Sequence, residues 1–186
     1  MDRSLAQARP SPAIARLKTD LAALGAATEV GFDAGGAEVE RLKTLAHRLE
    51  ALNPVAEPAR AAGLLRGRWH LIYASFGLLR ETTLAALSFG ALPRTAVRVV
   101  ETFQETDPAT GHYDNIVQLA DEEGRPATLV VEGDYQVIDD RRIDVVFSRL
   151  LLTGAGQRMA IGLDNPRVPP IASEISFLDE IGRAHV

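Results

Sequence analysis

The feature that most constrains the fold is a change in hydrophobic periodicity at Gly67. Before it, apolar residues recur every three or four positions, and after it they alternate with polar residues. The first spacing predicts α-helices and the second predicts β-strands. Trp69, the only tryptophan, lies at the head of the alternating part. We therefore expect a helical unit over residues 1–62 and a β unit over residues 63–186.

The first unit has the signals of a helical hairpin. Ser11 and Pro12 suit an N-cap and a first helical position, and Gly25 suits a helix end. The dipeptide Asn53-Pro54 ends the second helix, because a residue before proline avoids helical backbone angles. Apolar residues form one stripe on each helix: Ile14, Leu17, Leu21 and Leu24, then Val39, Leu42, Leu45, Leu49 and Leu52. The hairpin therefore has an apolar side that another part of the protein must cover.

The second unit is a series of alternating segments separated by turn residues. Short turns between successive strands indicate an antiparallel meander, which closes most simply into a barrel of about eight strands. In residues 132–134, "EGD", the glycine suggests a bulge or bend within a strand. After the strand that begins at Gly67, the predicted strands cover 95–105, 112–120, 127–138, 142–152, 158–163 and 171–178.

Residues 77–93, "GLLRETTLAALSFGALP", do not fit this meander. The segment is long and apolar, with neither a helical nor a strand period. Three interpretations stay open: a buried connecting helix, a short helix across the barrel mouth, or a flap that touches a membrane surface.

Charge and composition exclude several classes of protein. Residues 1–62 have 8 basic and 8 acidic residues, whereas residues 63–186 have 12 Arg and no Lys against 17 Asp and Glu. An acidic unit repels phosphate backbones, so no nucleic-acid partner is expected. The chain has no cysteine, which removes disulfides and thiolate chemistry.

Segments for secretion or membrane insertion are not expected. The N-terminal residues contain no uninterrupted apolar run of the kind a secretory signal needs. No stretch reaches the about 18 consecutive apolar residues of a membrane-spanning helix. We therefore expect a cytoplasmic protein, with peripheral contact to a membrane as an open option.

The sequence contains no recognisable catalytic or metal-binding motif. None of the four histidines lies at metal-ligand spacing from another. The glycines of "GAGQR", residues 154–158, lie between two predicted strands and so suggest a hairpin turn instead of a phosphate loop. We expect no metal, no cofactor and no enzymatic activity.

The pair Gly67-x-Trp69 is more informative. A large ring next to a glycine at the start of the first strand suits the closure of one end of a small barrel, and lipocalin-like barrels have such a pair. The indole N–H of a buried tryptophan needs a hydrogen-bond partner. We interpret Trp69 first as a structural residue.

Several short motifs in order resemble the PAP/fibrillin family of plastid lipid-associated proteins, which has bacterial members. The resemblance rests on "RLEALNPVAEPA" (48–59), "LLRGRWHLIYASFG" (64–77), "FQETD" (103–107), Asn115-Ile116-Val117 and "PPIASEISFLDE" (169–180). Ala74 stands where the family usually has threonine. The similarity covers about residues 14–181, and we expect a bacterial member of the family.

The resemblance implies a lipocalin-like antiparallel barrel preceded by the helical hairpin and its linker. One departure concerns the end of the chain, where "IGRAHV" replaces the usual "DLRI-x-RG" and a last strand. Arg183 is then the candidate for the arginine that packs on the first-strand tryptophan in lipocalin-like barrels. A shortened last strand leaves barrel closure open.

The resemblance also implies binding of a hydrophobic small molecule or lipid, such as an isoprenoid, carotenoid, quinone or fatty acid. An eight-stranded barrel is just wide enough for one such ligand. Alternation assigns residues to faces only relative to their neighbours, so the inner face stays undetermined. The candidate ligand-binding residues are Leu71 and Tyr73, which the alternation places on the same face of the first strand as Trp69, and Phe103, Tyr135 and Phe147 from later strands.

Two alternatives stay open. In the first, the barrel is filled and the protein docks a partner through Leu17, Leu21 and Leu24 or through residues 77–93. In the second, the protein is a small-molecule enzyme with Glu101, Asp144 or Arg149 converging inside the barrel. An inward Glu101 would need Arg98 or Arg149 as its partner.

Overall fold

The computed structural model describes residues 11–74, 79–163, 168–179 and 183–185. Four α-helices occur in this part of the chain: α1 (Pro12–Ala27), α2 (Gly36–Glu50), α3 (Ala62–Leu65) and α4 (Leu84–Leu87). Two 3-10 turns occupy Glu29–Gly31 and Pro58–Arg60. The strands are β1 (Gly67–His70), β2 (Glu81–Thr83), β3 (Ala96–Asp107), β4 (His112–Ala120), β5 (Pro126–Val137), β6 (Arg142–Gly154), β7 (Gln157–Gly162), β8 (Ile171–Leu178) and β9 (Arg183–His185).

Helix α1 begins as predicted and ends later than predicted. The Ser11 hydroxyl accepts a hydrogen bond from the backbone N–H of Ile14 at 3.3 Å. The predicted end at Gly25 is wrong, because α1 continues to Ala27. Gly25 is instead a close-packing position, where a Cβ would lie 2.6 Å from the carbonyl oxygen of Ile72. The missing side chain lets the segment after β1 pass against the helix.

The apolar side of the helical hairpin is covered by the sheet. Leu21 and Leu24 are partly buried against the cluster that fills this contact. An ion pair from Lys18 Nζ to Asp179 Oδ1, 2.6 Å long, lies beside it. The buried residues of this cluster are Ile14, Leu17, Leu45, Leu49 and Phe177. The stripe on α1 is therefore a packing surface against α2 and β8.

The segment between α2 and β1 also packs on the sheet. The Asn53 carboxamide accepts hydrogen bonds from the backbone N–H groups of Val55 and Leu178, at 3.1 and 3.2 Å. The Ala59 N–H donates to the carbonyl of Asp140 at 2.9 Å. Ala59 and Leu65 are both buried in the main core. These contacts tie the segment to three separate parts of the β unit.

The prediction of a mainly β, antiparallel protein is confirmed. Nine strands join in one sheet with the order β1-β3-β4-β5-β6-β8-β9, while β2 pairs with β3 and β7 pairs with β6. Both β3 and β6 change their outer partner halfway along: β3 pairs with β2 and then β1, and β6 pairs with β8 and then β7. Within the described residues, no backbone pairing joins β1 to β9, so the sheet is not closed into a barrel by hydrogen bonds.

The described part of the aperiodic segment, residues 79–93, forms β2, the single turn of α4 and a tight turn. Ser88 is fully buried and its hydroxyl accepts from the N–H of Leu92 at 2.9 Å. Leu84 and Leu87 pack against the main core. Phe89, at φ 53°, stays 39% exposed. One side of the segment is therefore packed on the core and the other is exposed to solvent. Residues 77 and 78 lie outside the described residues.

No helix in the described part of the chain is long and apolar enough to span a bilayer.

Candidate functional site

One face of the sheet, which we call the core face, faces the interior of the protein. Its side chains include the register partners Trp69, Gln104 and Asn115 on β1, β3 and β4. The buried residues that it contributes from the central strands include Val99, Val117, Leu129, Val131, Ile143, Val145, Phe147 and Leu150. Because strand side chains alternate, the residues between these point to the opposite face.

Aromatic rings follow one another across the core face. The ring of Tyr113 lies 6.3 Å from that of Tyr135 and 6.2 Å from that of Phe147. The ring of Phe89 lies 5.8 Å from that of Phe147, so the tight turn of residues 88–91 reaches this face. These separations are typical of favourable ring contacts. We call these four rings, together with Trp69, which packs against the same core, the aromatic cluster.

Trp69 is held by the structure around it. Gly67 has φ +137°, a backbone angle that favours glycine, and it turns the chain from α3 into β1. The indole N–H then donates to the carbonyl oxygen of Leu65 at 3.1 Å. The hydroxyl of Thr106 donates to the same oxygen. The Gly67-x-Trp69 pair thus joins the last helical turn to the first strand.

Trp69→Phe should lower the free energy of unfolding by about 1 to 3 kcal/mol, because the hydrogen bond to Leu65 is lost and the smaller ring packs less fully against the core. Urea unfolding followed by circular dichroism measures the change. The double variant with Thr106→Val should lose more than the two single variants together, since the carbonyl then has neither donor. An unchanged midpoint for Trp69→Phe would contradict this account.

Arg183 brings the two ends of the strand order together. Its guanidinium carbon lies 5.0 Å from the centre of the Trp69 ring and 5.9 Å from that of Tyr113. Its Nη2 donates to Oε1 of Gln104. Since Arg183 is on β9 and Trp69 is on β1, the sheet is curled enough for its ends to meet through side chains. Burial lowers the pKa of Arg183 from its usual value.

Tyr113 and Gln104 belong to the same arrangement. Burial raises the pKa of the Tyr113 phenol, which hydrogen-bonds Gln104. Gln104 Nε2 also donates to Oδ1 of Asn115 at 2.8 Å. Burial likewise raises the pKa of Tyr135. Both phenols are therefore neutral at physiological pH.

The structure places the predicted ligand-binding residues in three locations. Tyr135 and Phe147 belong to the aromatic cluster on the core face. Phe103 is buried on the opposite face, between the guanidinium of Arg68 at 4.3 Å and the ring of His70 at 5.5 Å. Leu71 and Tyr73 lie beyond the end of β1.

The predicted strand face of Trp69, Leu71 and Tyr73 is wrong beyond residue 70, because β1 ends at His70. Leu71 keeps one hydrogen bond to β3, from its N–H to the carbonyl of Thr102 at 3.0 Å. Tyr73 packs at the turn between α1 and α2, where a Cβ on Gly31 would lie 3.1 Å from its ring. The chain leaves the sheet here to contact the helical hairpin.

Three members of the arrangement were missed by sequence reasoning: Phe89, Gln104 and Tyr113. Alternation alone places Tyr113 on the same face as Asn115 and Val117 in β4, and this signal was available. Phe89 lies in a segment without a period, so its ring contact with Phe147 could not be inferred from spacing.

The polar residues proposed for an enzyme do not converge. Glu101 is exposed and accepts from His70 Nδ1 at 2.8 Å, so neither Arg98 nor Arg149 is its partner. Arg149 pairs with Glu132. Asp144 lies between Ile143 and Val145, which are both core residues, and so points to the opposite face. The enzyme alternative required these side chains to converge inside the barrel, and they do not.

A row of charged residues crosses the opposite face. Asp114 lies between Glu105 on β3 and Glu132 on β5 in the strand register. It is buried, its Oδ2 lies 2.9 Å from His112 Nε2, and its Oδ1 has no hydrogen-bond partner among the described residues. Burial raises the pKa of Asp114, with Glu132 adding to the effect.

Asp114→Asn should stabilise the protein near neutral pH, because the neutral amide avoids the burial of a carboxylate. The folded protein holds the Asp114 proton more tightly than the unfolded chain does, so this residue's stabilising contribution is present at low pH and is lost as the pH rises through its folded pKa. The advantage of the variant should therefore shrink between about pH 7 and pH 4. Chemical denaturation at several pH values measures this.

The control is Asp134→Asn, at an exposed position whose carboxylate also approaches His112, at 3.9 Å. Asp134→Asn also removes one negative charge near the His112 imidazole, but the carboxylate that it removes is exposed. An advantage of Asp114→Asn that grows toward low pH would contradict the burial argument.

Neither of two clefts on the described residues is lined by the aromatic cluster. The larger, about 310 Å³, lies at the ends of β1 and β3, and the smaller, about 280 Å³, lies beside β4 and β5. In the described ranges no group of three His, Cys, Asp or Glu side chains could hold a metal ion.

The fold and the site define the class of protein: a mainly β protein with a curled antiparallel sheet and aromatic residues on its core face. The chain belongs to the PAP_fibrillin family, whose sequence pattern matches residues 15–177. It is 30% identical over 131 residues to the plastid lipid-associated protein 3 of Brassica campestris, covering 70% of this chain and 34% of that protein.

Two further relatives carry similar names. The identity is 34% over 120 residues with the probable plastid-lipid-associated protein 3 of Arabidopsis thaliana, covering 64% of this chain and 30% of that one. It is 31% over 122 residues with the plastid-lipid-associated protein of Citrus unshiu, covering 64% and 35%. The chain thus matches about a third of the length of these relatives. No solved structure matches it.

Proposed function

We propose that this protein binds a hydrophobic small molecule or lipid without catalysis, on the core face of a lipocalin-like β-fold, and acts at or near a membrane surface. The observation that carries the proposal is the aromatic cluster, which extends from Trp69 to the partly exposed Phe89. Membership of a family whose named relatives are lipid-associated supports it. An isoprenoid, a carotenoid, a quinone or a fatty acid fits an apolar face of this kind.

Two further features favour a lipocalin-like arrangement. Arg183 on β9 packs on Trp69 of β1, so that the sheet ends are joined by side chains where backbone pairing is not seen in the described residues. The turn of residues 88–91 places Phe89 over Phe147. Phe89 is the partly exposed ring of this turn and is therefore the proposed point of entry to the aromatic cluster.

Native mass spectrometry of freshly purified protein, followed by organic extraction, tests the proposal. A stoichiometric mass excess that extracts as a lipid or isoprenoid supports it. A clean apo mass together with no binding of the neutral dye Nile red overturns it and redirects attention to the exposed apolar side chains of residues 79–93.

A matched pair of variants locates the binding face. Phe89→Ala removes a ring of the aromatic cluster and should weaken Nile red binding several-fold. Leu79→Ala removes a more exposed side chain, at 63%, from the same segment and should leave binding unchanged. Equal effects of the two variants would place the dye on the surface instead.

A further inference from the structure

Arg183 carries a positive charge toward the core face, and no carboxylate of the described residues forms an ion pair with it. Its side chain is partly buried. Its polar contact is the neutral amide of Gln104, and its remaining contacts are the rings of Trp69 and Tyr113. A buried charge is costly unless it is paired, so this position favours an anion.

The arginines on the opposite face differ. Arg68 pairs with Glu105, with Nη2 to Oε1 at 2.5 Å, and Arg149 pairs with Glu132. Both carboxylates lie on the opposite face and so do not serve Arg183. The phenol of Tyr113 is kept neutral by burial. The described residues of the core face therefore supply hydrogen bonding and ring contacts to Arg183 but no negative charge.

A path of rings leads away from this charge. From the Arg183 guanidinium the next ring is Tyr113, then Phe147, then Phe89, with successive separations of 5.9, 6.2 and 5.8 Å. The path begins at a partly buried cation and ends at a partly exposed phenylalanine. Its two ends suit the two ends of an amphiphile.

We propose that the bound molecule is an amphiphile with one anionic head group, a carboxylate or a phosphate, which pairs with Arg183 while its apolar chain lies along Tyr113, Phe147 and Phe89. This inference rests on the proposed binding function and narrows its ligand class. Neutral carotenoids and quinones become weaker candidates than fatty acids or prenyl phosphates. Arginine suits the role because its planar fork binds both head groups in a bidentate manner.

Three probes with the same chain test the proposal on the purified protein: oleic acid, oleyl phosphate and oleyl alcohol. Trp69 is the only tryptophan and contacts Arg183, so its fluorescence reports binding. At about pH 7 the two anionic probes should bind at least about tenfold more tightly than the alcohol, as expected for a charge-assisted hydrogen bond. The stronger of the two identifies the head group.

Gln104→Glu provides the sharper test, because it places a carboxylate next to Arg183 with almost no change of shape. The internal ion pair should remove the preference for anionic probes and leave the affinity for oleyl alcohol unchanged. Asn115 can turn its amide to donate to the new carboxylate. Gln118→Glu, at an exposed position on the opposite face of β4, makes the same charge change and should keep the preference.

The outcomes separate the two proposals. If none of the three probes binds, the binding function itself fails. If all three bind equally to the unmodified protein, the binding function stands and the role of Arg183 is overturned. If a folded Gln104→Glu variant still prefers the anionic probes, the role of Arg183 is also overturned. If circular dichroism shows that Gln104→Glu does not fold, Arg183→Gln replaces it and should show the same loss of preference for anionic probes. If neither variant folds, the relative affinities of the three probes for the unmodified protein decide.

Discussion

Leu129→Ala should lower the free energy of unfolding by about 2 to 5 kcal/mol, the range for a large-to-small change in a closely packed core. Leu129 is 0% exposed on β5 and lies among the core residues of the neighbouring strands β4 and β6. Removing three carbons leaves a cavity that strands paired on both sides cannot close. Equilibrium urea unfolding measures the loss, with the m value checked for a two-state transition.

Leu79→Ala is the matched control for this prediction. It makes the same chemical change at a side chain that is 63% exposed, so it should change stability by no more than about 0.5 kcal/mol. Similar losses in the two variants would mean that the core face of β5 is not packed as described.

Gly133→Ala should be destabilising by about 1 to 3 kcal/mol although it adds only a methyl group. The strand register shifts between Glu132 and Gly133, which confirms the bulge predicted from "EGD". A Cβ at this position would lie 2.6 Å from the carbonyl oxygen of Val146 and 2.9 Å from Cδ1 of Phe147. The backbone oxygen cannot move aside without breaking the pairing of β5 with β6, and Phe147 belongs to the aromatic cluster.

Gly162→Ala is the control, because Gly162 is also a strand glycine, at the end of β7, and no described atom lies within 4 Å of a Cβ built there. It should leave stability nearly unchanged. Gly133→Ala should also perturb the fluorescence of any Nile red bound near Phe147, whereas Gly162→Ala should not. Equal stability of the two variants would contradict the close approach at Gly133.

Local sequence signals were sufficient for the boundaries of most elements. The strands β4 and β8 match their predicted ranges, β3, β5 and β7 differ by one or two residues at both ends, and β6 extends two residues further at its end. The start of α1 also agrees with the predicted capping signals, and α2 ends at Glu50, three residues before the predicted break at Asn53-Pro54. These features depend on residues close together in the chain, so periodicity and turn chemistry reveal them.

Features that depend on contacts between residues distant in the sequence could not be predicted from local signals. Gly25 was predicted to be a helix end because glycine is common there, and its actual contact partner, Ile72, is too far away in the sequence to give a local signal. Leu71 and Tyr73 looked like strand residues because nothing local signals that the chain turns toward the helical hairpin. In both cases a non-local packing contact decided the local structure.

By itself, the sequence determined that this protein is an antiparallel β-sheet protein with a helical hairpin and a Gly67-x-Trp69 start to the sheet. Only the tertiary structure decided which face of each strand is inside, because a period of two assigns residues to faces relative to one another. It therefore separated Phe103 from Phe147, which sequence reasoning had grouped. It also brought Arg183 to Trp69 and Tyr113, because the curl of the sheet joins strands that are distant in sequence.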